Sequence, residues 1–187
     1  MIRKIARRLH NKFFGFIRGE GIASEFGPSK ITSYLYLGKQ PKHHGDYGLL
    51  RDLNVGLIVN AAANCEPHLE KQDGSREESP IRTIWIKAYD DLFMPPISVE
   101  DIKYAVEQAQ ESARISKRIY AHCRAGRHRS VAVAGCILIA VSNLKAEGAM
   151  ALIKFMRPEA DPYYPPIHKV ICEFEKYWSE KGGVKNG

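Results

Sequence analysis

The chain has 187 residues, 44% of them hydrophobic and 10% aromatic, which suits one folded domain with a sizeable core and argues against general disorder. Lys and Arg number 28 against 21 Asp and Glu, a formal charge of +7. No apolar run approaches the ~20 residues that a membrane-spanning helix needs.

The charge is unevenly placed. Arg3, Lys4, Arg7, Arg8, Lys12 and Arg18 fall in residues 1–18 with no acid among them. Removing those six from the 28 leaves 22 basic residues against 21 acidic, so the body is nearly neutral and no specific nucleic-acid partner is expected. Ile2, Ile5, Leu9, Phe13 and Phe16 recur at helical spacing, which predicts an amphipathic arm over residues 1–22. Its stripe suits either packing on the domain behind it or peripheral contact with an anionic membrane surface. Gly19, Gly21, Gly27 and Pro28 mark the junction with a body over residues 23–180, and residues 181–187 read as a flexible tail.

In the body, SYLYLG (33–38) reads as a strand, LLRDLNV as a short helix end, and GLIVNAA (56–62) as a strand covered on both faces. Residues 64–80 read as a polar surface loop and IRTIWIKA (81–88) as a strand. Ser98, three residues before Asp101, predicts a capping box that opens a helix burying Ile102, Ala105, Val106 and Ala109. RIYAH (118–122) is the next strand, and VAVAGCILIAV (131–141) is apolar all round, as a buried helix would be. A helix over about Ala146–Met156 ends before Pro158, and a last one starts around Pro166, burying Ile167, Val170, Ile171, Phe174 and Trp178. Strands alternating with helices predict an α/β domain with a central, mainly parallel sheet flanked by helices.

The four cysteines, at 65, 123, 136 and 172, lack both the density of a disulfide scaffold and the paired spacing of a zinc site, which favours a reducing, intracellular setting. The segment His122-Cys123-Arg124-Ala125-Gly126-Arg127-His128-Arg129-Ser130 falls where a buried strand turns into a buried helix. Backbone N–H groups and the positive helix end converge there, matched to a phosphoryl dianion. Arg129 can offer two parallel donors, and Gly126 lets the chain turn closely round a ligand. A cysteine at such a place has a lowered pKa, so Cys123 is the candidate nucleophile, attacking phosphorus to form a phosphocysteine. Cys136 and Cys172 suit a core instead. Adjacent His43 and His44 lack partners of metal spacing, and thiolate chemistry needs no metal or other cofactor.

HCRAGRHRS resembles the HCxxGxxRS signature of cysteine-dependent protein tyrosine phosphatases, in their dual-specificity branch. The likeness spans about residues 30–178 and takes in YLYLG, the VNAA strand end and Arg157–Pro158. It implies that Cys123 is the nucleophile, that Arg129 and the main chain of residues 124–129 cradle the phosphoryl oxygens, and that His122 orders the loop and helps tune the thiolate. It implies that the Ser130 hydroxyl bonds the sulfur and assists breakdown of the phosphoenzyme. It also implies a general acid after a strand about thirty residues upstream, where Asp90 matches the usual position and adjacent Asp91 competes.

Arg124, Arg127 and His128 make the loop unusually basic and favour substrates with further negative charge. The spacing resembles CKAGKGR and CKAGRSR of lipid-directed members. Two substrate classes follow: phosphorylated protein as the main expectation, and a phospholipid or phosphoinositide as the alternative. Residues 64–80 and the loop with Phe93 and Met94 are expected at the pocket rim, and Tyr163 and Tyr164 in packing. The expected setting is cytoplasmic, with membrane contact at most peripheral.

Overall fold

The structure, a computed structural model, describes residues 26–66, 68–70, 76–89 and 97–182. The arm over residues 1–22, the loop carrying Asp90, Asp91, Phe93 and Met94, and the tail from residue 183 lie outside the described residues.

The strands are β1 (Ser29–Lys30), β2 (Leu35–Gly38), β3 (Val55–Asn60), β4 (His68–Glu70), β5 (Arg76–Glu78), β6 (Thr83–Trp85) and β7 (Arg118–His122). The helices are α1 (His44–Asp52), α2 (Val99–Arg114), α3 (Arg129–Ser142), α4 (Ala146–Met156) and α5 (Pro165–Glu180). The main sheet runs β1-β2-β7-β3-β6, parallel except where β1 pairs antiparallel with β2. This is the expected α/β architecture. β7 lies at its centre, with His122 paired to Gly38 on one side and Asn60 on the other.

The near-continuous apolar strands are explained by cover on both faces. Leu35, Leu37, Leu57, Val59, Ile119 and Ala121 meet the larger core, built with α2, α3, α4 and α5. The alternate residues Tyr36, Ile58 and Tyr120 meet Tyr47 and Leu50 of α1 on the other face. α3 is apolar all round because α2, α4 and α5 enclose it against the sheet. A Cβ at Gly135 would come within 2.8 Å of Ile171, so that glycine admits α5 to close approach. Trp178 packs at the edge of this core, stacked on Phe174, rather than inside it.

Two expectations need revision. Residues 64–80 hold a two-stranded hairpin, with His68 opposite Glu78 and Glu70 opposite Arg76. Its sequence cue was Asp73-Gly74, a turn dipeptide, between strands too polar to alternate visibly. The strand expected over residues 81–88 shortens to Thr83–Trp85, because an edge strand has one partner and β3 ends at Asn60. The helix end expected at LLRDLNV closes α1, which begins at His44, while β1 had no sequence signal at all.

The capping box of α2 is formed: the Asp101 amide donates to the Ser98 hydroxyl at 3.3 Å, and the Ser98 amide donates to Asp101 Oδ2 at 2.8 Å. Ser98→Ala should lower stability by about 1 kcal/mol. In urea unfolding this is a lower midpoint at unchanged slope, and an unchanged midpoint would contradict it.

Candidate active site

β7 delivers Cys123 to the carboxyl edge of the sheet, and α3 begins six residues later at Arg129. Between them the chain turns through Gly126, whose φ is +68°. A Cβ there would collide with the Gly38 carbonyl oxygen, so both the backbone conformation and the close approach require glycine.

Four consecutive carbonyls of this loop are occupied from outside. Arg124 O accepts from the Gln40 amide at 3.4 Å, and Arg127 O accepts from the Asp161 amide at 2.9 Å. Ala125 O and Gly126 O accept from Arg157, through Nη2 at 3.4 Å and Nε at 2.9 Å. In a trans peptide the C=O of one residue and the N–H of the next point opposite ways. The amides of residues 125–128 therefore turn inward, and the Gly126 amide donates to Cys123 Sγ at 3.3 Å. The result is a concave set of donors suited to an anion.

Cys123 is 2% exposed. Burial pushes its thiol up, but the Ser130 hydroxyl and amide, the Arg129 charge and the Gly126 amide outweigh that and leave it below the ordinary thiol value. The Ser130 hydroxyl reaches the sulfur at 3.3 Å. Arg129 is buried at the first position of α3 and donates from Nη1 to Ala88 O at 3.0 Å, just beyond β6. The structure thus brings Cys123, Gly126, Arg129 and Ser130 together.

The other expected residues divide. His122 is buried and stacked on Tyr120, with Nδ1 3.4 Å from Cys123 O, not exposed at the mouth. Burial pushes its imidazole down to about 4, so at neutral pH it is uncharged. Arg124, Ala125 and Arg127 are exposed. Arg127 Nε reaches the Glu159 carbonyl at 3.3 Å, and the His128 ring lies tilted against Tyr164 with centroids 4.8 Å apart, so both lean toward residues 157–164. Tyr164 thus packs as expected, while Tyr163 is exposed and its hydroxyl bonds Glu147.

Sequence reasoning passed over three supports. Arg157 was read only as part of a dipeptide, yet it is 2% exposed and holds the loop from behind, with Nη1 bonded to Ser29 Oγ at 3.0 Å and facing Glu159 at 3.3 Å. Asn60 folds the chain after β3, donating to Cys65 O and accepting from the Ala62 amide at 3.1 Å. That fold seats Cys65 against Cys123. Burial, followed by smaller opposing charges, leaves the Cys65 thiol above its ordinary value. Cys136 is a core residue as expected, but Cys172 is only half-buried, beside His168. Among the described residues no three His, Cys, Asp or Glu gather as a metal site would require.

Ser130→Ala removes the hydroxyl bond to sulfur and should move the inflection of Cys123 alkylation by iodoacetamide to higher pH. Alkylation at pH 7 should slow accordingly. An unmoved inflection would show that the hydroxyl does not stabilise the thiolate.

Residues 35–176 match the dual specificity phosphatase catalytic domain. The phosphatidylglycerophosphate phosphatase PTPMT2 of Arabidopsis thaliana is 31% identical over 150 residues, covering 80% of this chain and 63% of its own length. PTPMT1 of the same plant is 30% identical over 130 residues, covering 69% of this chain and 37% of its own. Human dual specificity protein phosphatase 1 is 25% identical over 149 residues, covering 80% and 37%. The chain thus spans less than two thirds of these relatives. Among solved structures, PTPMT1 in complex with PI(5)P superposes with a TM-score of 0.69 at 20% identity, covering 83% of this chain and 98% of that one. Human DUSP28 gives 0.64 at 18% identity, covering 81% and 95%. No helix among the described residues is long and apolar enough to cross a membrane. With the family match spanning three quarters of the chain and the loop geometry in place, this protein belongs to the dual specificity phosphatase catalytic-domain family, the cysteine-dependent phosphatases.

Proposed function

We propose that this chain hydrolyses a phosphomonoester on an anionic phospholipid, with phosphatidylglycerophosphate the first substrate to test. The observation that carries this reading is the inward-facing amide loop around a lowered Cys123 thiol, with exposed Arg124 and Arg127 at its mouth. Further support comes from the relatives at 30–31% identity, which are named phosphatidylglycerophosphate phosphatases, against 25–26% for those named protein phosphatases. The six cations of residues 1–18 suit the same anionic surface. The ranking of substrate classes from sequence is thereby reversed, since the loop signature is common to both.

In this mechanism the Cys123 thiolate attacks phosphorus in line, and the ester P–O bond breaks. The loop amides and the Arg129 guanidinium hold the three non-bridging oxygens as charge moves onto them. Asp90 gives its proton to the departing glycerol oxygen, leaving a phosphocysteine and an Asp90 carboxylate. That carboxylate then takes a proton from water, the water oxygen attacks phosphorus, and the S–P bond breaks to release phosphate. The Ser130 hydroxyl, already bonded to Sγ, stabilises the returning thiolate. No step calls on a metal.

Turnover of phosphatidylglycerophosphate, a phosphoinositide, and phosphotyrosyl and phosphothreonyl peptides, measured in parallel, should rank the lipid first. Faster turnover of a peptide would overturn the lipid reading and restore the protein one. Cys123→Ser should abolish turnover of every substrate, and retained activity would remove the phosphocysteine.

A glycerol oxygen is a poor leaving group, whereas p-nitrophenolate leaves readily without a proton. Asp90→Asn should therefore slow the lipid substrate by about 10² or more while slowing p-nitrophenyl phosphate much less. A larger effect from Asp91→Asn would transfer the role to that neighbour.

A further inference from the structure

The chain leaving β2 forms a fixed ledge along the outer side of the loop. The Tyr120 hydroxyl donates to Lys39 O at 2.5 Å, and the Gln40 amide donates to Arg124 O at 3.4 Å. Pro41 is buried. The amides of Lys42 and His43 both donate to the buried Asp46 carboxylate, at 2.9 and 3.1 Å. Residues 39–43 are thus pinned at four points, and the Lys39 and Lys42 side chains stand exposed on them. Across the Gln40–Arg124 bond stands the exposed side chain of Arg124.

These cations are not needed for the phosphoryl group itself, whose oxygens the loop amides and Arg129 already meet. Nor are they remote from it. Cys65 touches Cys123 from the β3 side, and although burial dominates its thiol, Arg124 and Lys42 both act on it in the lowering direction. Residues 39–43 and Arg124 thus border the same loop, joined by the hydrogen bond from the Gln40 amide to Arg124 O. Positive charge at that range, beyond contact with the first anion, is suited to a second one on the same molecule. Arg124 offers two parallel donors to phosphate oxygens, and Lys42 adds a mobile point charge.

We propose that Lys42 and Arg124 form a second anion subsite beside the loop, taking a phosphate-type group joined through a short polyol to the scissile phosphomonoester. The phosphodiester of phosphatidylglycerophosphate is one source of such a group, and a second phosphate on a soluble polyol is another. The proposal rests on the phosphomonoesterase reading of Cys123, but not on the lipid.

The test is competition against p-nitrophenyl phosphate turnover by the full chain, using inorganic phosphate and glycerol bisphosphate as inhibitors at low and high salt. The unaltered protein should bind the bisphosphate about tenfold more tightly than phosphate, and Lys42→Glu should remove most of that preference. Arg124→Gln should reduce it, and added salt should shrink it in the unaltered protein. Equal affinity for the two inhibitors, or a preference that survives Lys42→Glu, would overturn the subsite. Phosphatidylglycerophosphate in place of the inhibitor separates the two sources. If the lipid is not turned over while the bisphosphate preference stands and responds to Lys42→Glu, the lipid reading fails and the subsite holds. Absence of any p-nitrophenyl phosphate turnover would overturn the phosphatase reading and the subsite with it.

Discussion

The outward hold on the carbonyls of Arg124, Ala125, Gly126 and Arg127 is the constraint from which the rest of the site follows. A short loop of free peptides would point its dipoles in many directions, and an anion would have to order them at each binding event. Here Gln40, Arg157 and Asp161 hold them beforehand. Arg157 carries the largest share, because one buried guanidinium spans two of the four carbonyls and reaches back to Ser29 in the first strand. Its charge is faced by Glu159 at 3.3 Å, which tempers the burial of an otherwise isolated cation. Preorganised dipoles of this kind stabilise charge without reorganising, and for that reason they serve a transition state as well as a ground state.

The same arrangement explains why two neighbouring cysteines differ in character. Cys123 and Cys65 are both buried, and burial alone raises a thiol. Cys123 also has the Ser130 hydroxyl, two amides and the Arg129 charge acting on it, whereas Cys65 feels the Arg129 charge without those hydrogen bonds, and burial keeps its thiol above the ordinary value. Position relative to the α3 start, not residue type or burial, sets the chemistry. His122 illustrates the same point from the other side. The histidine before the nucleophile is uncharged at neutral pH because it is buried, stacked on Tyr120.

What could be read from sequence was what is contiguous in the chain. Cys123, Gly126, Arg129 and Ser130 lie within eight residues, so their convergence needs only a strand, a turn and a helix, all visible as hydrophobic patterns. Helices α2 to α5 were equally legible, through a capping box, an all-round apolar run and two prolines. Arg157, Cys65 and the segment carrying Lys42 were not: Arg157 reaches the loop through the packing of α4 on α3, and the other two through the strand order β2-β7-β3. That order places the chain after β2 on one side of Cys123 and the chain after β3 on the other, and no local spacing encodes it. The β4–β5 hairpin escaped for a different reason: its three-residue strands carry charges where a strand pattern would show alternation.

A loop that binds phosphoryl oxygens through backbone amides treats every phosphomonoester nearly alike, because peptide dipoles carry no side-chain identity. Discrimination has to come from whatever flanks the loop. The parallel sheet supplies two flanks, the segments leaving β2 and β3. The β3 side is apolar where it meets the nucleophile, with Ala62 and Cys65 against Cys123 and the Trp85 indole closing onto the Ala62 carbonyl at 2.8 Å. The β2 side is cationic, with Lys39 and Lys42 beside Arg124. A substrate with charge on one side of its phosphate and little on the other matches that asymmetry. On the lipid reading proposed above, a glycerol-linked phosphodiester would meet it more closely than a flat aromatic ring, which carries no charge to place.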